Sequence, residues 1–266
     1  MTAINPARLK IQCAELVESF RDLPRFISDL HDLLAFYGAR IRQTSLSQNP
    51  FNLQTYQVPA PVLRALVLEL RELIDKNPEQ GLLLVDALWQ EEWLEIRQLG
   101  VRLLGYLPTS APERILERIQ IWINKNTPED LKRQIMTNAL ARLVDEKPTY
   151  VLDFLKSMAA NDALADRQSA LFGLVPIAED PDFDNLPIIF NILRDILLVD
   201  ETVFTKEISA LIHPLQKKSD KETAYFLVRQ MPLASKPRIF RVIRQVLPLF
   251  SEESQQLLRE NLNNYN

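Results

Sequence analysis

The sequence predicts an all-α protein whose helices pair and stack as a right-handed α–α superhelix. A short signature, Arg followed by Gln, recurs at Arg97, Arg133 and Arg167, so the copies stand 36 and 34 residues apart. In each copy, apolar residues before the Arg and seven after it share one helix face. The chain also has 5 glycines, too few for an all-β protein with many tight turns. A repeat of this length with two amphipathic helices per unit indicates a solenoid.

The N-terminal region is expected to cap the stack. Residues 7–42 show two amphipathic patterns, and the exposed end of a repeat stack needs an atypical covering element. His31 lies between Asp29 and Asp32, but neighbouring helical residues point in different directions. We therefore expect a surface histidine here rather than a metal ligand.

A polar segment without charge, residues 43–58, separates this cap from the repeats. It shows no helical period, so a linker is expected. A mobile tether is the default expectation, and Phe51, Leu53, Tyr56 and Val58 leave partial docking on the helices as the alternative. The predicted domains are therefore 1–58, a helical cap with a polar linker, and 59–266, a HEAT-like or armadillo-like repeat domain forming one continuous structural unit.

Helices are then expected in regular pairs with short joints, several beginning at a proline, which suits the first helical turn. The predicted helices are 60–76, 79–91, 93–107, 111–125, 128–145, 147–159, 163–178, 185–199, 201–217, 220–230, 236–248 and 251–263. Thr127 is predicted to cap the fifth of these, with Glu129 and Asp130 facing the positive helix end.

Charge excludes one class of protein and directs attention to one region. The net charge is −4 and the pI is near 5.4, which argues against a constitutive nucleic-acid coat protein. Residues 59–200 carry 15 Lys and Arg against 23 Asp and Glu, a net of −8. Residues 201–266 carry 10 against 7, a net of +3, so a basic surface is expected in the last quarter.

Several sequence patterns that would indicate export, membrane insertion or cofactor binding are missing from the chain. The amino terminus lacks the pattern of a signal peptide, and the longest apolar run, 186–199, is shorter than a membrane span. A cytoplasmic protein without membrane contact is expected. No glycine-rich phosphate loop and no paired Cys or His at metal spacing occur, so neither a metal nor a small-molecule cofactor is expected.

Two stretches resemble a known family over roughly residues 55–250. YQVPAPVLRAL and LVDALWQEEWLEIRQLGVRLLG resemble the bacterial DNA alkylation-repair glycosylases built from HEAT-like repeats, the AlkD-like family. The residues that carry the resemblance are Tyr56, Val58, Pro61 and Arg64 in the first stretch and Leu88, Trp89, Glu92, Glu95 and Arg97 in the second. Gln57 stands where the family usually has glycine.

The resemblance implies excision of a cationic alkylated base, by a Trp followed by an Asp, an Arg on the next repeat and a further Trp. A carboxylate would stabilise the positive charge that develops on the sugar as the base leaves. Aromatic faces would bind the cationic nucleotide, and Arg would hold the backbone phosphate. Position by position, Thr127 or Pro128 replaces the first Trp, Lys132 or Arg133 the Asp, and Ala210 or Leu211 the second Trp, whereas Arg167 matches the Arg. The catalytic set is therefore predicted to be missing.

Glu129 and Asp130 are the remaining candidates for a displaced catalytic carboxylate. Their place in the first turn of a helix gives them a sufficient role as helix-end charges, and we favour that role.

The repeated arginines allow two interpretations. On a concave face, Arg97, Arg133 and Arg167 would form a ladder able to meet a phosphate chain. Alternatively each pairs with an acid of its own or the adjacent repeat, and the acidic surroundings favour this structural role. The acids considered are Glu95, Asp130 and Asp166.

A second basic group lies in the predicted helix 236–248. Arg238, Arg241 and Arg244 are spaced to share one side of it, opposite an apolar side. The ordinary explanation is a solvated helix face, but this stripe is the best candidate for contact with an anionic partner. Neighbouring lysines are Lys236, Lys217, Lys218 and Lys221.

These observations predict a non-enzymatic repeat protein that binds a protein or a nucleic acid on its concave face. The alternative is a DNA-binding protein or an N-alkylpurine DNA glycosylase with a rearranged site.

Overall fold

The computed structural model describes residues 4–38, 53–198, 204–232 and 236–265, without the side chains of 236–238 and 265. These residues form fifteen α-helices, which confirms the all-α prediction. By its contacts the chain divides into two compact units. Unit 1 comprises 1–122 and 126–146, and unit 2 comprises 123–125 and 147–266. The sequence-predicted boundary at residue 58 stays a prediction.

Unit 1 contains three helix pairs followed by a helix interrupted by a π-helical turn. Its helices are α1 Pro6–Glu18, α2 Leu23–Gly38, α3 Ala60–Lys76, α4 Pro78–Gln90, α5 Leu94–Leu104, α6 Pro112–Trp122, α7 Glu129–Gln134 and α8 Ala141–Glu146, with the π-turn at Ile135–Ala139. Helices α1, α3 and α5 and the π-turn contact one another in sequence and form one layer. Helices α2 and α4 contact each other on the other side.

Unit 2 repeats the arrangement. Its helices are α9 Pro148–Ala160, α10 Leu164–Glu179, α11 Leu186–Leu197, α12 Thr205–Lys218, α13 Asp220–Gln230, α14 Lys236–Val246 and α15 Glu252–Tyr265, with a short 3₁₀ turn at Leu247–Leu249. Helices α10, α12 and α14 form one layer, and α9, α11, α13 and α15 the other. Leu, Ile, Val and Phe side chains fill the space between the layers.

Proline accounts for most helix starts. Pro6, Pro78 and Pro148 each occupy the first residue of a helix, where the missing N–H is no loss and the fixed φ already suits the helix. The predicted helices begin and end within a few residues of the observed ones, apart from the interrupted 128–145. Residues 199–203, where the predicted helices 185–199 and 201–217 meet, lie outside the described part of the chain. No helix of the described residues is long and apolar enough to cross a membrane.

Two local predictions around residue 128 are wrong. Thr127 does not cap α7; its buried hydroxyl donates to the carbonyl of Trp122 at 2.6 Å and closes the end of α6 instead. The predicted continuous helix 128–145 is also interrupted by the π-turn. There Gly105, at the end of α5, meets the Asn138 carbonyl so closely that a methyl group would overlap it. No side-chain movement could relieve this overlap, because the atoms that the methyl group would meet belong to the backbone of Asn138.

The end of the polar segment docks on unit 1, so the default expectation of a mobile tether is wrong for residues 53–58. Leu53 is buried, and Gln54 pairs as a parallel bridge with Trp93, at the start of α5. Gly38, the last residue of α2, meets the Tyr56 backbone closely enough to exclude a larger side chain. Residues 43–52, Phe51 among them, lie outside the described part of the chain.

Candidate functional site

One exposed stripe of α12 carries basic side chains and no exposed acid. Lys206, His213 and Lys217 are exposed, and their spacing of seven and four residues places them along one stripe of the helix. The sole acid in α12, Glu207, is buried. Its carboxylate accepts a 2.7 Å hydrogen bond from Gln168 of α10, so it stabilises the stacking of these two helices.

Helix α14 continues this cationic surface. Arg241 and Arg244 are exposed, while Val242, Ile243 and Val246 are buried against the unit. No acid occurs in α14, and α14 contacts α12 in the same layer. The side chain of Arg238, predicted to extend this stripe, lies outside the described residues. We call the four cations Lys206, Lys217, Arg241 and Arg244, together with the neighbouring His213, the cationic face.

A shallow hollow of about 310 Å³ lies at one end of the cationic face. His213 and Lys217 line it together with Glu179, an exposed acid at the end of α10. A cationic surface of this kind attracts phosphate oxygens, and exposed guanidinium groups bind them with two parallel hydrogen bonds. The geometry therefore suits an extended anion better than a neutral ligand.

Two of the predicted lysines have other roles. Lys218 donates to the carbonyls of Asp180 and Phe183, and the second of these bonds is 2.6 Å long. It thereby ties the connection after α10 to α12. Lys221 pairs with Glu253 of α15 at 3.0 Å. These two lysines stabilise the fold of unit 2, whereas Lys217 stays on the cationic face.

The three repeated arginines each have a partner close in sequence. Arg97 donates to the carbonyl of Glu91 at 2.6 Å and lies 5.1 Å above the Trp89 ring. Burial lowers the pKa of Arg97, and the nearby Glu92 and Glu91 only partly oppose this. The favoured structural role fits these contacts. The predicted pairing of Arg97 with Glu95 is wrong, because the Glu95 carboxylate accepts hydrogen bonds from residues 55–57 instead.

The other two copies follow the same pattern. Arg133 donates to Glu129, four residues earlier, at 3.3 Å, and remains exposed. Arg167 is buried and donates to the exposed Asp162 at 3.0 Å. A buried guanidinium is a poor ligand for an external phosphate chain, since binding would require the helix to open. Phosphate binding by the three arginines stays a prediction.

Around the predicted catalytic positions the structure shows cations and small side chains. Lys132 and Pro128 are buried, whereas Glu129 and Asp130 are exposed in the first turn of α7. Glu129 binds Arg133, as a helix-surface pair does. Their role as displaced catalytic carboxylates stays untested.

Sequence reasoning missed a polar and aromatic cluster around His31. The prediction of a surface histidine is wrong: its ring is half-buried, 2.6 Å from the Tyr56 hydroxyl and 3.0 Å from the Glu91 carboxylate. Tyr56 stacks on Trp93 with ring centroids 3.7 Å apart. Partial burial raises the pKa of Tyr56, and the carboxylates of Glu95 and Glu91 add to the effect. The cluster fixes residues 53–58 on unit 1.

The described residues contain no group of three or more His, Cys, Asp or Glu side chains able to hold a metal ion. A cysteine, Cys13, is fully buried, and this burial raises its pKa to about 12, with Glu69 adding to the shift. The thiol is therefore protonated and shielded from solvent at neutral pH.

Comparisons with known proteins identify the family. The family model described as DNA alkylation repair enzyme matches residues 48–239. Neither the curated proteins nor the solved structures contain a significant match. The matched range begins within the polar segment and covers most of both units. The chain therefore belongs to the DNA alkylation repair enzyme family.

Proposed function

We propose that this family member is a non-enzymatic binding protein that holds the phosphate backbone of a nucleic acid without excising a base. The cationic face carries this proposal. Two neighbouring helices of one layer expose Lys206, Lys217, Arg241 and Arg244, and the one acid of these helices is buried. Phosphate contacts of this kind supply affinity that is independent of base sequence.

The absence of catalysis is the second part of the proposal. Excision needs a carboxylate beside an aromatic wall, because the departing base leaves a positive sugar. The buried Lys132 and Pro128, near the matching positions, provide neither group. Glu129 and Asp130 are exposed and lie at a helix end, where they are stabilised as charges.

The right-handed α–α superhelix and its concave face, predicted from the sequence, belong to this proposal. They are supported by the helix pairing within each unit, where successive layers repeat the same contacts. A cytoplasmic location is proposed with them.

Binding is tested by fluorescence anisotropy with a labelled DNA duplex at several salt concentrations. We expect the affinity to fall steeply between about 50 and 200 mM salt, as counterions are released. The double variant Arg241→Gln/Arg244→Gln should reduce the log–log salt slope by about 2 and weaken binding to all sequences alike. A matched control is Arg259→Gln, which changes an exposed arginine of α15 bound to Gln255. Binding that is absent, or equal in both variants, would overturn the proposal.

Catalysis is tested separately with duplex DNA that contains an N-alkylpurine. We expect no released base, even at high protein concentration. The alternative function, a glycosylase with a rearranged site, would be established if base release occurred and disappeared in Glu129→Gln/Asp130→Asn. Exposed carboxylates are the observation that keeps this alternative in the experiment.

A further inference from the structure

A groove in unit 1 has no role in the proposed function. It has a volume of about 550 Å³ and lies between α3, the end of α5, and the π-turn with α8. This volume is within the range of pockets that hold small organic ligands. All its lining residues belong to unit 1, whereas the cationic face belongs to unit 2.

Two arginines of the groove have no partner among the described residues. Arg64, on α3, is exposed. Arg102, on α5, is half-buried, and its Nε is shielded from solvent without a hydrogen-bond acceptor. A shielded donor without an acceptor is unfavourable, so an anion that supplied oxygen atoms would be stabilised here.

The third arginine of the groove is neutralised by the protein itself. Arg142 donates to Asp75 at 2.6 Å and to Glu146 at 2.8 Å, and also to the carbonyl of Tyr106. The remaining lining acid is Asp145. Counted with Asp75 and Glu146, the acids around the groove balance its three arginines. The two arginines that bind no acid are therefore the ones available to a single phosphate group.

The rest of the lining is suited to a flat ring. Leu68 is 55% exposed and Tyr106 37% exposed, so both side chains present apolar surface to the groove. Base stacking on an aromatic ring is favourable for every nucleobase. Asn138 donates its amide to the carbonyl of Gln134, and its own amide oxygen is left as an acceptor for an exocyclic amino group.

We propose that this groove binds a nucleoside monophosphate, with Arg64 and Arg102 on the phosphate and Tyr106 and Leu68 against the base. The inference stands independently of the proposed function, since it uses different residues in the other unit. The groove-forming backbone is fixed by Gly105, which meets the π-turn directly.

The inference is tested by isothermal titration calorimetry with AMP on the full chain. We expect a dissociation constant on the order of 10 to 100 µM, given typical affinity per atom. Arg102→Met and Arg64→Gln should each weaken AMP binding at least about tenfold, because each removes a charge-assisted hydrogen bond. Arg64→Gln changes an exposed side chain, so it will fold even if Arg102→Met does not.

A matched control is Arg71→Gln, on the exposed surface of the same helix but outside the groove, which should bind AMP like the wild type. Tyr106→Ala should weaken AMP binding about tenfold, by loss of stacking, and leave the weaker binding of inorganic phosphate unchanged. No AMP binding at millimolar concentration would overturn the inference. Phosphate binding as tight as AMP binding would overturn the nucleotide assignment.

The two proposals fail separately. Arg241→Gln/Arg244→Gln should leave AMP binding unchanged, and Arg64→Gln should leave the salt slope of duplex binding unchanged. If AMP binding were lost in Arg241→Gln/Arg244→Gln, the nucleotide would be bound on the cationic face and not in the groove.

Discussion

At the scale of single residues, one buried carboxylate organises the docking of the polar segment. Glu95 is 5% exposed and accepts hydrogen bonds from the Thr55 hydroxyl and from the backbone N–H groups of Tyr56 and Gln57, at 2.6, 3.1 and 2.7 Å. Three donors around one charge offset the cost of removing that charge from water. Glu95, one of the residues that carry the resemblance, thus has a structural role.

Replacing Glu95 with Ala should destabilise the protein by about 3 kcal/mol, because it leaves buried donors without an acceptor. The measurement is the free energy of unfolding from urea denaturation. Glu92→Ala, an exposed neighbour, serves as the control and should change stability by less than about 0.5 kcal/mol. A loss below about 1 kcal/mol for Glu95→Ala would mean that this carboxylate does not hold residues 55–57.

Gln57 has a φ of +55°, the left-handed region that favours glycine. Glutamine is therefore a strained choice at this position, where glycine would adopt the same backbone conformation freely. Gln57→Val should cost about 1–2 kcal/mol, because a β-branched side chain tolerates this region poorly. Gln57→Gly should be neutral or slightly stabilising, since relief of strain offsets the greater freedom of the unfolded chain. Thermal unfolding of both variants checks this; equal losses would contradict the strain argument.

What the sequence could predict at this scale depended on distance along the chain. The sequence predicted a nearby partner for each repeated arginine but not which one, since the observed partner of Arg133 is Glu129, where Asp130 was suggested. The contact of His31 with Glu91 joins residues 60 positions apart. No periodicity marks such a pair, so the cluster could not be predicted without the packing of α2 against α4.

At the scale of the helix, the joint between α13 and α15 depends on one carboxylate. Asp220, the first residue of α13, accepts bonds from the hydroxyls of Ser251 and Ser254, from the Ser251 N–H, and from the Gln216 amide. Partial burial alone would raise the pKa of Asp220, but these hydrogen bonds outweigh it and hold the pKa at about 2. The carboxylate thereby fixes the start of α15.

This lowered pKa gives a pH dependence with a definite sign. The native pKa of about 2 lies below the ordinary 3.8, so Asp220 contributes stability above about pH 4 that is lost as the pH falls towards 2. Solvent screening limits the contribution to about 1 kcal/mol. The difference in unfolding free energy between the wild type and Asp220→Asn should therefore shrink from pH 5 to pH 2. A difference that is constant with pH would refute this assignment.

Helix positions were the most predictable feature because proline and periodicity both act locally. The π-turn was not predictable, since Ile135–Ala139 has an ordinary apolar pattern. Its signal is structural: Gly105 of α5 allows the two backbones to meet there. The cationic face was also predictable only in part. The stripe of Arg241 and Arg244 follows from the spacing of these residues in the sequence. Its continuation onto Lys206 and His213 required the contact of α12 with α14.

At the scale of the whole molecule, two compact units imply that stability is distributed along the chain. In repeat proteins each element contacts mainly its neighbours, so a local destabilisation spreads only a short way. Glu95→Ala should therefore accelerate amide hydrogen exchange in α3, α4 and α5 of unit 1. Exchange in α12 to α15 of unit 2 should stay unchanged. Uniform acceleration, measured by mass spectrometry of peptides, would show a single cooperative unit instead.

The clamped ends of the polar segment have a practical consequence. Gly38 meets the Tyr56 backbone, and Gln54 is bridged to Trp93, so fixed contacts close the connection between α2 and α3 on both sides. The entropy of closing a chain segment grows only with the logarithm of its length, about 0.6 kcal/mol per doubling. A longer connection between these two contacts would thus cost little free energy of unfolding, and both contacts could still form.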